Sequence, residues 1–231
     1  MTGQPFKITL PLFLLSMIFY LIVLSFIQFP LTTLLKPIPI ALLMLFVLQI
    51  NCYKQVKVLL LLALGCSLIG DIFLTLPIKM ALQVGILAFM ATHVTYICLF
   101  LKNRQFRGKN VLSFSPILVF VLVSFYFLSP YLGEMKKPVA AYLCLLTLMV
   151  FCAFQVKRQS LFTRLGAILF LLSDFVLSLN LFVLANNKPI AVLVMLLYYA
   201  AQFLLVVSIT QTKEIIFLKL YNLFRGSKLA Q

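Results

Sequence analysis

The chain has 231 residues, 64% of them hydrophobic and only 10% charged, with mean hydropathy +1.17 and a formal net charge of +15. A soluble domain carries roughly 45–50% apolar and about 25% charged residues, so this sequence lacks the polar surface to cover itself and its solvent is lipid. Its apolar runs are helix-length without short alternating strands, which favours a helical bundle over a barrel. The basic residues sit in short loops, the pattern of membrane topology and not of a nucleic-acid surface.

The first apolar run, 8–28, follows Lys7 and has no small-residue cleavage site behind it, so it reads as a retained span and not a signal peptide. Seven more candidate spans follow at approximately 38–53, 57–76, 80–101, 114–132, 138–156, 161–183 and 189–211. The breaks between them ("NCYKQVK", "LPIK", "KNRQFRGKN", "GEMKKP", "VKRQS", "ANNKP") are too short to hold a soluble domain. The expected fold is therefore all-α, a polytopic bundle of eight transmembrane helices forming a single integral-membrane domain over 1–231. A basic tail, 212–231, alternates cationic and apolar residues and suits either the anionic inner leaflet or a fraying stop-transfer flank. The five cysteines are scattered, mostly inside apolar runs, and read as small hydrophobes without a disulfide or CxxC pattern.

With eight spans, 14 of the 19 lysines and arginines fall on the side of the N-terminus and five on the other. The positive-inside rule then puts both termini in the cytoplasm. The expected location is a bacterial inner membrane or an endomembrane, crossed many times.

Two of the four acids in the chain interrupt its most apolar runs: Asp71 in "SLIGDIFLTL" and Asp174 in "LLSDFVLSL". Lys36-Pro37 precedes Asp71 and Lys137-Pro138 precedes Asp174 by nearly the same interval, and "GDIFLTL" parallels "SDFVLSL". In the following span "ATHVTY" aligns with "AAQFLL", setting His93 against Gln202. These correspondences predict a parallel 4+4 repeat, with halves at approximately 1–110 and 111–211. Thr75 and Ser178 lie four residues beyond the aspartates, on the same helical face. Intramembrane carboxylates seldom face lipid, so both stripes are expected to face the bundle interior. Counting from the ends of their spans places the two acids at similar depth in the outer half, with Lys36 and Lys137 on the same side.

Each residue also has a structural reading. Asp71 could pair with Lys36 or Lys79, and Asp174 with Lys188. His93, the only histidine, could simply pack between helices. Tyr198, Tyr199 and Gln202 form a polar patch in the last span that suits a pocket wall or a packed core equally well. One histidine without a carboxylate–histidine spacing argues against a zinc site; no metal or other cofactor is expected, and no phosphate loop or serine-nucleophile motif occurs. A parallel repeat with buried acids would also suit a proton-coupled carrier or a lipid flippase, a reading that Gly65 and Gly166 keep open, or a non-catalytic scaffold.

Through "KPIPI", "LIGDIFL", "GILAFMATHVTY", "GAILFLLSDFVLSLNLF" and "LLYYAAQ", in this order on eight spans, the chain resembles the YhhN-like family of membrane proteins, whose characterised members are lysoplasmalogenases. It departs from the family where the fourth span opens "IKMALQVG", without an aromatic residue before the glycine. The resemblance implies hydrolysis of a vinyl-ether bond, with a lysophospholipid as substrate and Asp71 and Asp174 as its catalytic pair. The chemistry fits two carboxyls: one protonates the vinyl carbon, and the other stabilises the resulting oxocarbenium ion or activates water, as in glycoside cleavage. Lys36 and Lys137 are expected to hold the lipid phosphate. Thr75, Ser178, His93, Tyr198, Tyr199 and Gln202 are expected to line the pocket, with bilayer lipid as a further partner and no nucleic acid.

Overall fold

A computed structural model describes residues 5–102, 104–157 and 160–210. Among these the chain is helical with no strand: α1 (Pro5–Val23), α2 (Leu31–Leu35), α3 (Ile38–Gln49), α4 (Lys54–Phe73), α5 (Ala81–Leu101), α6 (Gly108–Leu128), α7 (Lys136–Phe154), α8 (Ser160–Phe182) and α9 (Lys188–Thr210). The basic tail lies outside the described residues.

Among the described residues seven segments are long and apolar enough to cross a bilayer: Leu31–Gln49, Lys54–Phe73, Ala81–Leu101, Gly108–Tyr131, Gly133–Phe154, Leu161–Phe182 and Lys188–Thr210. A further segment, Ile8–Val23 in α1, is apolar but shorter. Backbone hydrogen bonding within each helix is what lets these segments sit in hydrocarbon; Pro11 in α1 and Pro116 in α6 each leave out one donor. The side chains that face outward are what lipid requires: Leu15, Ile22, Leu62, Leu122 and Val123 are all more than half exposed. The protein is an integral membrane protein.

The second span differs from its expected limits. It starts earlier, because Leu31–Leu35 already forms a helical turn, and it ends earlier, because Ile50 turns into extended backbone (φ −82°, ψ 137°). Pro37, which has no N–H to donate, stands at the joint between α2 and α3, the position where a helix start tolerates it. The joint matters because Lys36 is on it.

α4 packs chiefly on α5 and α8 chiefly on α9, while α3 bridges α1 and α4 and α7 bridges α6 and α8. α5 crosses onto α7, α9 onto α3, and α2 lies against α4. Small residues set the closest approaches, as in other membrane bundles. A Cβ on Gly70 would stand 2.6 Å from the Phe89 ring, so α4 and α5 meet there only because the residue is glycine. The α8–α9 loop ends with Ala185 and Asn186 in the left-handed region (φ 51° and 60°), and Asn187 Oδ1 accepts the Ile190 amide to cap α9.

Candidate active site

Asp71 is in the last turn of α4 and only 1% exposed. The α2–α3 joint carries Lys36 over that turn, so that Nζ stands 3.3 Å from Asp71 Oδ1. Tyr198, from α9, donates its hydroxyl to Oδ2 at 2.8 Å. Tyr199, the next residue, reaches the other way and donates to the Lys36 carbonyl at 2.6 Å, which ties the joint to α9. Asp71 thus has a cation on one oxygen and a phenol on the other.

Asp174 has different company. Tyr142, from α7, donates to its Oδ2 at 2.5 Å, and His93 Nε2 lies 2.9 Å from the same phenol oxygen. Because that phenol proton points at Asp174, its oxygen accepts from His93 Nε2–H. Nδ1 then carries the lone pair, and it is buried without a partner. The imidazole itself is 3.8 Å from Asp174 Oδ2, so Tyr142 is the bridge. Among the described residues no lysine pairs with Asp174: Lys188 donates instead to the Ser25 carbonyl at 2.9 Å.

Both aspartates line one cavity of about 390 Å³, with Lys36, Thr75, Phe89 and Tyr198. That volume is ordinary for a small-molecule site. Asn180 also faces it and is 4% exposed, and its Oδ1 has no protein partner. The aromatic wall is continuous: Phe89 meets Tyr198 edge-on at 5.9 Å, and Phe170 meets both Tyr198 and His93, at 5.7 and 5.0 Å. A larger cavity of about 680 Å³ lies at the other end of the bundle beside Lys54 and Lys102, and among the described residues no carboxylate lines it.

Not every expected residue reaches this chamber. Thr75 lines it but donates its hydroxyl to the Ile72 carbonyl at 2.7 Å, and Ser178 donates to the Asp174 carbonyl at 2.9 Å. Ser178 faces smaller voids on the far side of Asp174. Gln202 stands behind the chamber, hydrogen-bonded to the Tyr198 side chain: it also accepts from Tyr96 at 2.5 Å and donates to Ser67 at 2.9 Å, and Ser67 in turn meets Thr92. Lys137 is exposed in the first turn of α7 and pairs with neither aspartate. The reason is local: two 3-10 turns precede α7, where α3 has the inward-leaning helix α2. Two acids and one lysine gather, not two of each. Nor do the acids sit at matching helix ends, since α8 continues beyond Asn180 to Phe182 whereas α4 stops at Phe73.

Sequence reasoning missed Phe89 and Asn180 in the chamber wall and, beside Asp174, Tyr142. For Tyr142 a signal existed: a lone phenol in a leucine-rich span, since a buried tyrosine hydroxyl needs a partner, but nothing in the spacing says which one.

The fold and the site define a polytopic helical membrane protein with two carboxyls on one chamber. More particularly, the chain belongs to the YhhN family, whose pattern matches residues 31–209. It is 34% identical over 147 residues to a Rattus norvegicus protein named lysoplasmalogenase TMEM86B, covering 63% of this chain and 59% of that one. The chain therefore aligns with about three fifths of the length of that curated relative. No solved structure matches it.

Proposed function

We propose that the protein is a membrane-embedded hydrolase that cleaves the vinyl-ether bond of lysoplasmalogens to a fatty aldehyde and a glycerophospho-choline or -ethanolamine. The observation that carries this reading is the unequal company of two carboxyls on one cavity wall. Asp71 faces a lysine and is the ionised member. Asp174 faces a phenol and, among the described residues, no lysine, and it is the member that carries a proton. Two carboxyls in two environments taking two roles is the recurring solution for acid and base chemistry at one pH.

The steps balance as follows. Asp174 gives its proton to the vinyl carbon nearer the chain, and the double bond supplies the electron pair of the new C–H bond. The ether carbon becomes an oxocarbenium ion, stabilised by the Asp71 carboxylate and by the Phe89 and Tyr198 rings. Water adds to it as Asp71 takes the proton, giving a hemiacetal. The hemiacetal hydroxyl returns a proton to Asp174 while Asp71 protonates the leaving glycerol oxygen, which restores both groups. Lys36 offers its charge to the phosphate, and Asn180 Oδ1 accepts a glycerol hydroxyl.

The relative's name supports the substrate class. The repeat is part of the same proposal, and the paired helix neighbours support it: α3–α4–α5 is matched by α7–α8–α9, and each half crosses onto the other in the same way. His93 meets Phe170 across the halves just as Gln202 bonds Ser67. Both termini are assigned to the cytoplasm, which places the chamber toward the outer face of a bacterial inner membrane or an endomembrane. The carrier alternative has less support, because α4 and α8 run unbroken past Gly65 and Gly166.

The test is aldehyde release by the purified protein from a lysoplasmalogen. Asp71→Asn and Asp174→Asn are each expected to lower kcat by about a hundredfold or more while eluting as folded protein. Wild-type turnover by either variant would overturn the mechanism. Lipid moved across liposomes without chemical change would point to a carrier.

A further inference from the structure

Asp174 touches more than the polar chamber. Behind it lie two small voids of about 50 and 30 Å³, both lined by Tyr142, Ser178 and Val139. The smaller void shares Val121, Phe125 and Leu143 with a third space, an apolar groove of about 420 Å³ between α6 and α7. That groove runs from Phe125 and Ala140 beside the neck to Phe114 and Phe151, some 16 Å along α7 at 1.5 Å per residue. Thr147 is its one hydroxyl, and that hydroxyl is already bonded to the Leu143 carbonyl at 2.6 Å. Cys144 and Leu148 on its floor are exposed, so the groove opens sideways to lipid.

We infer that the α6–α7 groove is the seat of the substrate's single hydrocarbon chain, entered laterally from the bilayer, with Asp174 at the boundary between chain and headgroup. The inference rests on the proposed hydrolase reading and assigns its polarity. A vinyl-ether lysolipid has three parts in fixed order: an apolar chain, the scissile bond and a polar head. The molecule offers three spaces in the same order: the groove, the neck at Asp174, and the chamber with Lys36 and Asn180. Protonation falls on the vinyl carbon nearer the chain and water attacks the carbon nearer the head, so the acid must stand on the chain side of the base. Asp174 lines both the neck and the chamber, whereas Asp71 lines the chamber alone. A second copy of the protein could cover the groove but not enter the neck; a lipid chain does both. The neck is narrow, so a chain passes by displacing the Phe125 and Leu143 side chains.

Two measurements test this seat. The first compares kcat/KM for lysoplasmalogens with long and short alkenyl chains. Cys144→Trp, which fills the groove, is expected to lower the long-to-short ratio on the order of tenfold. Val119→Trp, on the outer face of α6 and outside the groove, should leave that ratio unchanged. An unaltered ratio in Cys144→Trp overturns the proposal. The second measurement uses the wild-type protein and a lysophospholipid with a photoactivatable diazirine near its chain end. Label is expected on the α6 and α7 peptides around Leu118, Leu122, Cys144 and Leu148. Label elsewhere, or the same pattern from a diacyl bilayer lipid, overturns the seat. If the wild-type protein releases no aldehyde, the hydrolase reading falls, and the crosslink map alone upholds or overturns the groove.

Discussion

Asp71 and Lys36 form a buried ion pair, while Asp174 depends on a neutral phenol, and single substitutions separate these two situations. Lys36→Met leaves Asp71 without its cation, and breaking a buried pair from one side typically costs about 3–5 kcal/mol. The expected result is a clear fall in thermal unfolding midpoint in detergent. Removing both charges in Lys36→Met with Asp71→Asn should recover much of that stability but no aldehyde release. Tyr142→Phe acts differently. It removes the hydroxyl that joins His93 to Asp174 without opening a cavity, so the fold should persist. As a positioning change it is expected to lower kcat roughly tenfold to a hundredfold with KM little altered. A purely structural Tyr142 would show the opposite: a lower midpoint with normal turnover per folded molecule.

At the scale of helices, the site depends on how closely α4 approaches α5. The Phe89 ring occupies the space that a side chain at position 70 would need, and the same ring lines the chamber and meets Tyr198. Gly70→Ala is expected to push the helices apart, lower the unfolding midpoint and depress turnover together. Adding Phe89→Leu should restore the midpoint more than the turnover, because the smaller side chain relieves the clash but removes an aromatic wall. Thermal unfolding and aldehyde release on the two variants decide this. The short helix α2 is the other determinant: it delivers Lys36 to Asp71, and its absence before α7 is why Lys137 stays at the surface. A repeat in sequence is thus compatible with an asymmetric chamber, and in the proposed mechanism that asymmetry gives two like acids different tasks.

At the scale of the whole molecule, the distribution of charge predicts which loops face which side. With the protein in a bacterial inner membrane and no other reactive cysteines, Gly133→Cys in the α6–α7 turn should react with a membrane-impermeant maleimide added outside intact cells. Gln105→Cys, in the α5–α6 turn, should react only after permeabilisation. Labelling in the reverse order would invert the topology and move the chamber to the inner leaflet.

Hydrophobic run length, loop punctuation and two isolated aspartates were enough to read a helical membrane bundle and to single out Asp71, Asp174 and Lys36, because lipid leaves few polar residues and each must be accounted for. Most helix limits were legible to within a few residues, but α1 stops at Val23, five residues short of the expected limit, α6 starts at Gly108, six residues before it, and at the second span a proline joint hides the extra turn of α2. What the one-dimensional order does not contain is which helices cross. The α5–α7 crossing puts His93 and Tyr142 against Asp174, and the α9–α3 side brings Tyr198 to Asp71 and Tyr199 to the Lys36 carbonyl. Those partners lie 32 to 163 residues apart in the chain. Composition determined the solvent and hence the class of fold; only the tertiary packing decided that one acid faces a lysine, the other a phenol, and that the second stands at the end of an apolar groove.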